Sequence, residues 1–316
     1  RCDDVKRVIV LFALGACSDP PTMTPDAEVL PTSMPERLSL TGIYTDIGTK
    51  TLNPKLQLFA PNNVLWSDGA VKTRWFQLPD GAVIDSSDMN HWKFPVGTKF
   101  FKQFSLDGKR LETRLIWRVA DTGNFEKDTL VGAYLWNDTE TEAYFAKAGG
   151  ENLRGTDHDA PAADTCWKCH VGEAGNVLGL SALQTGDVSK LPLSAPPPAG
   201  TVYEAPNKAL GYLHANCGHC HNPRGGGWQD SQRILRLDVE ETDAATTKIV
   251  QTTVGQDLEA WLGHGYAKRI VAGDPDQSAI FFRMSQRAMN VQMPPVATEF
   301  TDDTGLALVR AWIQSL

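Results

Sequence analysis

Four cysteines and two histidines fall in one repeated pattern. Residues 166–170 read CWKCH, and residues 217–221 read CGHCH. Two cysteines three positions apart on a helical turn point the same way. Each thiol can then add to one vinyl group of a haem, giving two thioether bonds. The next residue, His170 or His221, lies under the iron and donates an imidazole nitrogen. The spacing reads as c-type haem attachment. Cys166, Cys169, Cys217 and Cys220 are the covalent anchors, and His170 and His221 the iron ligands. The implied cofactors are two covalently bound haem c.

Two rival chemistries use the same cysteines. A bare C-x-x-C pair can be a thioredoxin-like redox couple, but no βαβ context surrounds either pair. Two such pairs can share a zinc ion. That reading leaves a histidine directly behind each pair without a role.

The second site has a candidate for the opposite face of the iron. "MNVQMPP" places Met293 before two prolines. Proline fixes the backbone and removes an amide donor, so such a loop can hold a sulfur rigidly. Met/His ligation raises the reduction potential of a haem. The first site has no such loop. Its candidate sixth ligands are His158, just before the motif, His91 in the strand-rich region, and His214, one turn ahead of Cys217. Met89 is a further candidate, and an open sixth position is another reading. Each histidine is equally readable as a solvated or structurally bonded side chain. His219, inside the second motif, is expected to point outward.

These residues need elements to hold them. Residues 38–150 read as a β-rich domain. In "RLETRLIWRV" (110–119), Leu111, Thr113, Leu115, Trp117 and Val119 share one face, with Glu112, Arg114 and Arg118 on the other. Asp107-Gly108 marks a tight turn, so 98–119 is expected to be a hairpin. Further strands fall in "VKTRWFQ" and "LVGAYLWNDTETEAYFA", and their spacing suggests a sandwich. Residues 151–206 form a proline-broken segment with the first motif. From 207 helices dominate: one runs into the second motif, one spans 278–289, and one closes the chain. In the last, Leu306, Val309, Trp312 and Ile313 make an apolar stripe. The expected fold class is α+β and multi-domain, with a β-sandwich-like domain followed by a helical one.

The order helix, C-x-x-C-H, helix, Met-Pro loop, terminal helix resembles a class I cytochrome c domain over 207–316. That resemblance implies His221 and Met293 as the axial pair, with Tyr212 and Leu213 packed against Trp312. "HWKFPVGTKFFKQF", "RLETRLIW", "AYLWNDTETEA", "YLHANCGHCHNP", "RIVAGDPDQSAIFFRM" and "GLALVRAWI" together resemble a family of exported diheme c-type cytochromes with an N-terminal β-domain. The resemblance runs from about Thr41 to the C-terminus. It implies haem binding and electron transfer, and no particular substrate.

At the start, Lys6 and Arg7 precede the apolar run "VIVLFALGA" (8–16), which Cys17 ends. This reads as an export signal. "LGAC" also resembles a bacterial lipobox, implying cleavage before Cys17 and lipid on its thiol; a plain signal peptide is the alternative. Residues 1–17 are then the signal, and 18–37 a proline-rich tether. Ser18 follows the cysteine where aspartate would resemble an inner-membrane retention mark. Periplasmic or cell-surface placement is therefore expected, with the outer membrane favoured.

The chain has 316 residues, and 30 basic against 38 acidic side chains give a net charge of −8. Nucleic acid is disfavoured as a partner, since phosphate binding needs clustered cations. The acidic surface fits a basic redox partner protein, or only solubility. No signal for an oligomeric state stands out. Three functions follow: a diheme electron carrier, a haem enzyme resembling diheme peroxidases with an open first haem, or a β-domain that docks a partner with haems in support. A copper site is disfavoured, since the β-region holds only His91.

Overall fold

In a computed structural model, the described residues are 30–228, 232–259 and 264–316. The export signal, Cys17 and most of the tether lie outside them.

The chain is mixed α/β. Six strands form one antiparallel meander in chain order: β3 (Gln57–Phe59), β4 (Val71–Gln77), β5 (Lys99–Leu106), β6 (Lys109–Arg118), β7 (Thr129–Trp136) and β8 (Ala143–Ala146). Two short strands, β1 (Tyr44–Asp46) and β2 (Thr51–Leu52), pair separately. The central hairpin lies where the alternation places it. Asp107 and Gly108 both take positive φ, 50° and 77°, which is the tight-turn geometry that matches strand twist.

The expected sandwich of two facing sheets is replaced by one sheet with a covering layer on each face. On one face Trp75, Phe101, Leu115, Trp117, Tyr134 and Trp136 pack with Leu38, Ile43 and Tyr44 from the N-terminal segment. On the other, Phe76, Phe100 and Ile116 pack with Ile84, Trp92 and Phe94, and with Val177, Leu180 and Val188. Those last three come from beyond the first motif. The proline-broken segment is thus a layer of coil and single helical turns. Its apolar residues follow no period because they drop individually onto the sheet.

The C-terminal part builds a second core from α4 (Lys208–Asn216), α5 (Lys248–Thr253), α6 (Ala279–Met284) and α7 (Asp303–Gln314). Val309, Trp312 and Ile313 bury the predicted stripe beside Leu210 and Leu213. A Cβ at Gly305 would lie 2.3 Å from the Tyr212 ring, so α7 approaches α4 as closely as a bare backbone permits. The helix expected over 278–289 stops at Met284. There the Arg283 carbonyl accepts from the Met293 amide at 2.9 Å, tying the following loop back. Tyr203 and Val239 touch both this core and the sheet's core, so the two parts pack together.

The turn between β7 and β8 is fixed by charge. Glu140 accepts from the Arg110 amide at 2.9 Å, Arg110 Nη1 at 2.7 Å and Arg154 Nη1 at 2.6 Å. Burial raises its carboxyl, but these donors outweigh burial and hold it at about 2. A folded pKa below the unfolded value of 4.5 gives stability that is full above pH 4.5 and lost as pH falls toward 2. Glu140→Gln is therefore expected to cost about 1–3 kcal/mol at neutral pH. It should also flatten the stability loss between pH 4.5 and 2 in acid-unfolding curves.

Candidate haem-attachment site

The first motif sits on a single turn, α2 (Trp167–His170), entered through the 3-10 turn Ala163–Thr165. The Cys169 and His170 amides both donate to the Cys166 carbonyl, at 3.3 and 3.2 Å. This closes the turn that puts Cys166 and Cys169 on one side. His170 Nδ1 lies 2.8 Å from the Asn176 carbonyl oxygen. A carbonyl only accepts, so Nδ1 carries the proton and Nε2 keeps the lone pair a metal needs. Burial pushes this imidazole down to about 4, so it is neutral at ordinary pH.

The second motif begins where α4 ends. Asn207 caps the helix by accepting from the Ala209 amide. The Cys220 and His221 amides donate to the Cys217 carbonyl at 3.1 and 2.9 Å, repeating the first turn. Arg233 Nε lies 3.3 Å from His221 Nδ1, and a Cβ at Gly227 would lie 2.7 Å from the same atom. Only glycine lets the backbone come so close. Burial lowers the His221 imidazole to about 3. With Nδ1 accepting from Arg233, the neutral ring carries its proton on Nε2, unlike His170, so ligation through Nε2 would need that proton to leave or move.

Met293 lines the same cleft as Cys217, together with Tyr212, Met284 and Arg287. Trp66 also lines it, although it belongs to the loop between β3 and β4. Its amide donates to Asn216 Oδ1 at 2.7 Å, and its indole to the Phe300 carbonyl at 3.1 Å. Sequence reasoning missed this wall.

The two motifs meet. Cys220 Sγ lies 3.6 Å from the Lys168 carbonyl, and the ligand atoms of Cys169, His219 and Cys220 lie within 4.8 Å of one another. A Cβ at Gly172 would fall 1.8 Å from the His219 carbonyl oxygen. His219 is therefore buried between the motifs rather than directed outward as expected, and its Nδ1 has no hydrogen-bond partner among the described residues. A hydrogen bond from Cys220, opposed by burial and reinforced by His219, makes Cys169 the more acidic of the two touching thiols. As free thiols this trio could take a soft metal ion. Such an ion would leave Cys166, Cys217, His170 and His221 without roles. The donor set as a whole, two thiols and a neutral buried imidazole on each turn, fits covalent haem.

The other candidates are held elsewhere. His158 Nε2 pairs with buried Glu112 at 2.8 Å. His91 Nδ1 pairs with Asp88 at 2.9 Å. His214 Nδ1 accepts from the Leu237 amide at 3.0 Å, so its ring proton sits on Nε2, the reverse of what ligation through Nε2 needs. Met89 Sδ accepts from the Trp92 indole at 3.3 Å.

Searches of protein-family models, characterised proteins and solved structures return no significant match to this chain.

Gly172→Ala should force the motifs apart and cost about 1–3 kcal/mol, as overpacking does. Gly226→Ala, with nothing within 4 Å, should leave thermal unfolding within error of wild type.

Proposed function

We propose that the chain is an exported diheme c-type cytochrome that transfers single electrons outside the cytoplasm. In this reading an N-terminal β-domain precedes a class I cytochrome c-like domain, and a lipid on Cys17 tethers the protein to a membrane. The supporting observation is the contact between the two C-x-x-C-H turns, where the ligand atoms of Cys169, Cys220 and His219 lie within 4.8 Å of one another. Anchors this close give an electron a short path inside one chain. When bound, the haems supply iron that cycles between ferric and ferrous, taking one electron from a donor protein and giving it to an acceptor.

The chain's own residues do the rest. His170 and His221 are kept neutral by burial, and Nδ1 of His170 donates to the Asn176 carbonyl, which leaves its Nε2 lone pair for iron. Met293 faces the cleft of the second motif from the opposite loop. Trp66, Tyr212 and Leu306 wall that cleft, and apolar walls exclude water and tune potential.

One observation favours a second reading. His158 Nε2 is taken by Glu112, His214 carries its ring proton on Nε2 and Met89 Sδ accepts from Trp92, so unless His91 ligates through the Nε2 that its Asp88 bond leaves open, this haem would react with peroxide or a small ligand, as in enzymes resembling diheme peroxidases.

Redox titration with carbon monoxide separates the readings. In the carrier, the reduced wild-type protein binds no carbon monoxide. Met293→Ala should lower one haem's potential by at least about 60 mV, a tenfold change for a one-electron couple, and admit carbon monoxide there. Binding by the wild type with peroxide turnover supports the enzyme instead. An unchanged potential in Met293→Ala removes Met293 from the iron.

A further inference from the structure

The polar face of the central hairpin is only partly exposed, and its charges do not balance. In the strand register Arg74 stands opposite Lys102, and Lys102 opposite Arg114. Three cations therefore form one row across β4, β5 and β6. Like charges directly opposite on a sheet are destabilising, and partial burial increases the cost. Lys72, two residues before Arg74 on the same face, adds a fourth. The sole carboxylate in this group is Glu112, which takes Arg114 Nε at 2.9 Å and His158 Nε2 at 2.8 Å.

The remaining cations have weak partners. Arg74, 5% exposed, reaches among the described residues only the Lys72 carbonyl, at 3.4 Å. Lys72 donates to the Leu65 carbonyl. Lys102 lies 5.0 Å above the Phe104 ring, with no carboxylate partner among the described residues. Burial and the neighbouring Arg74 and Arg114 hold the Lys72 ammonium down, at about 7. The row adjoins the first motif: the Arg114 charge acts on Cys166 and Cys169, and the Lys102 charge on His170. A chain with net charge −8 has thus placed four cations and one carboxylate on this face beside the first motif's turn, with Asp68 and Asp302 acting on Lys72 from its margin.

We propose that this row binds the two propionate carboxylates of the first haem. The inference rests on the cytochrome reading above. A haem carries its carboxylates on the edge opposite its thioether bonds. The row begins near the thiols at Arg114 and extends two strand spacings, roughly 10 Å, to Arg74. Two carboxylates offset the excess charge of Lys72, Arg74 and Lys102, and bidentate recognition by arginine suits them. Lys102 and Arg74 are then positioning residues that also set the potential. Positive charge beside the iron favours its reduced state.

The test is redox titration of the holo-protein carrying Lys102→Met, Arg74→Met or Lys102→Arg, with haem content read by mass. Lys102→Met and Arg74→Met should each lower one haem's potential, shifting its electron-exchange equilibrium about tenfold (59 mV). Lys102→Arg should restore it. Lys55→Met, which removes an exposed charge paired with Asp80, should change neither haem. Both haems attached with neither potential moved would overturn the proposal. So would a wild-type potential that tracks added phosphate, since the row would then hold an exchangeable anion. A wild-type chain with no haem at all would instead defeat the underlying cytochrome reading.

Discussion

Two turns of backbone are pressed together at Gly172 and His219, closely enough that a methyl group at Gly172 has nowhere to go. Everything proposed for this chain depends on that apposition. It brings together cysteines 51 residues apart in sequence, Cys169 and Cys220, and buries a histidine between them. Each turn alone closes with the same pair of bonds to its first cysteine's carbonyl. The contact makes one site of two repeated local structures.

The remaining architecture supports this contact from outside. One face of the sheet is largely apolar under Leu38, Ile43 and Tyr44, and its buried Gln103 and Thr113 accept from Tyr44 Oη and Trp136 Nε1. The other is divided between an apolar end, covered by the segment after the first motif, and the cationic row. Arg236 links three regions at once: it pairs with Glu173 behind the first motif, donates to the Asn90 carbonyl at 2.6 Å, and lies in the strand-like run that follows the second motif. Trp66 extends from the sheet to wall the second cleft. The sheet and its loops therefore form part of both candidate sites.

Local rules carried far in the sequence. The Asp107-Gly108 turn, the alternation of 110–119, the helix entering the second motif and the stripe of α7 each depend on neighbours within a few residues, and each formed where expected. What was not legible depends on distant partners. Glu112 and Arg114 read only as the face opposite the apolar one, because alternation cannot say what covers it. His158, from the next segment, closes over Glu112 instead. His219 read as outward-facing because nothing near it in sequence reveals the first motif's approach. Trp66 gave no periodic signal, and its place at the second cleft comes from hydrogen bonds to Asn216 and Phe300. Residues 151–206 look irregular because the sheet, not an internal period, orders them.

The most direct measurement is the intact mass of the mature chain, purified from a host competent in cytochrome maturation and stripped with acid–acetone. The expected result is a red protein heavier than its polypeptide by two haems. A colourless chain at polypeptide mass, or one carrying zinc on its thiols, would contradict it.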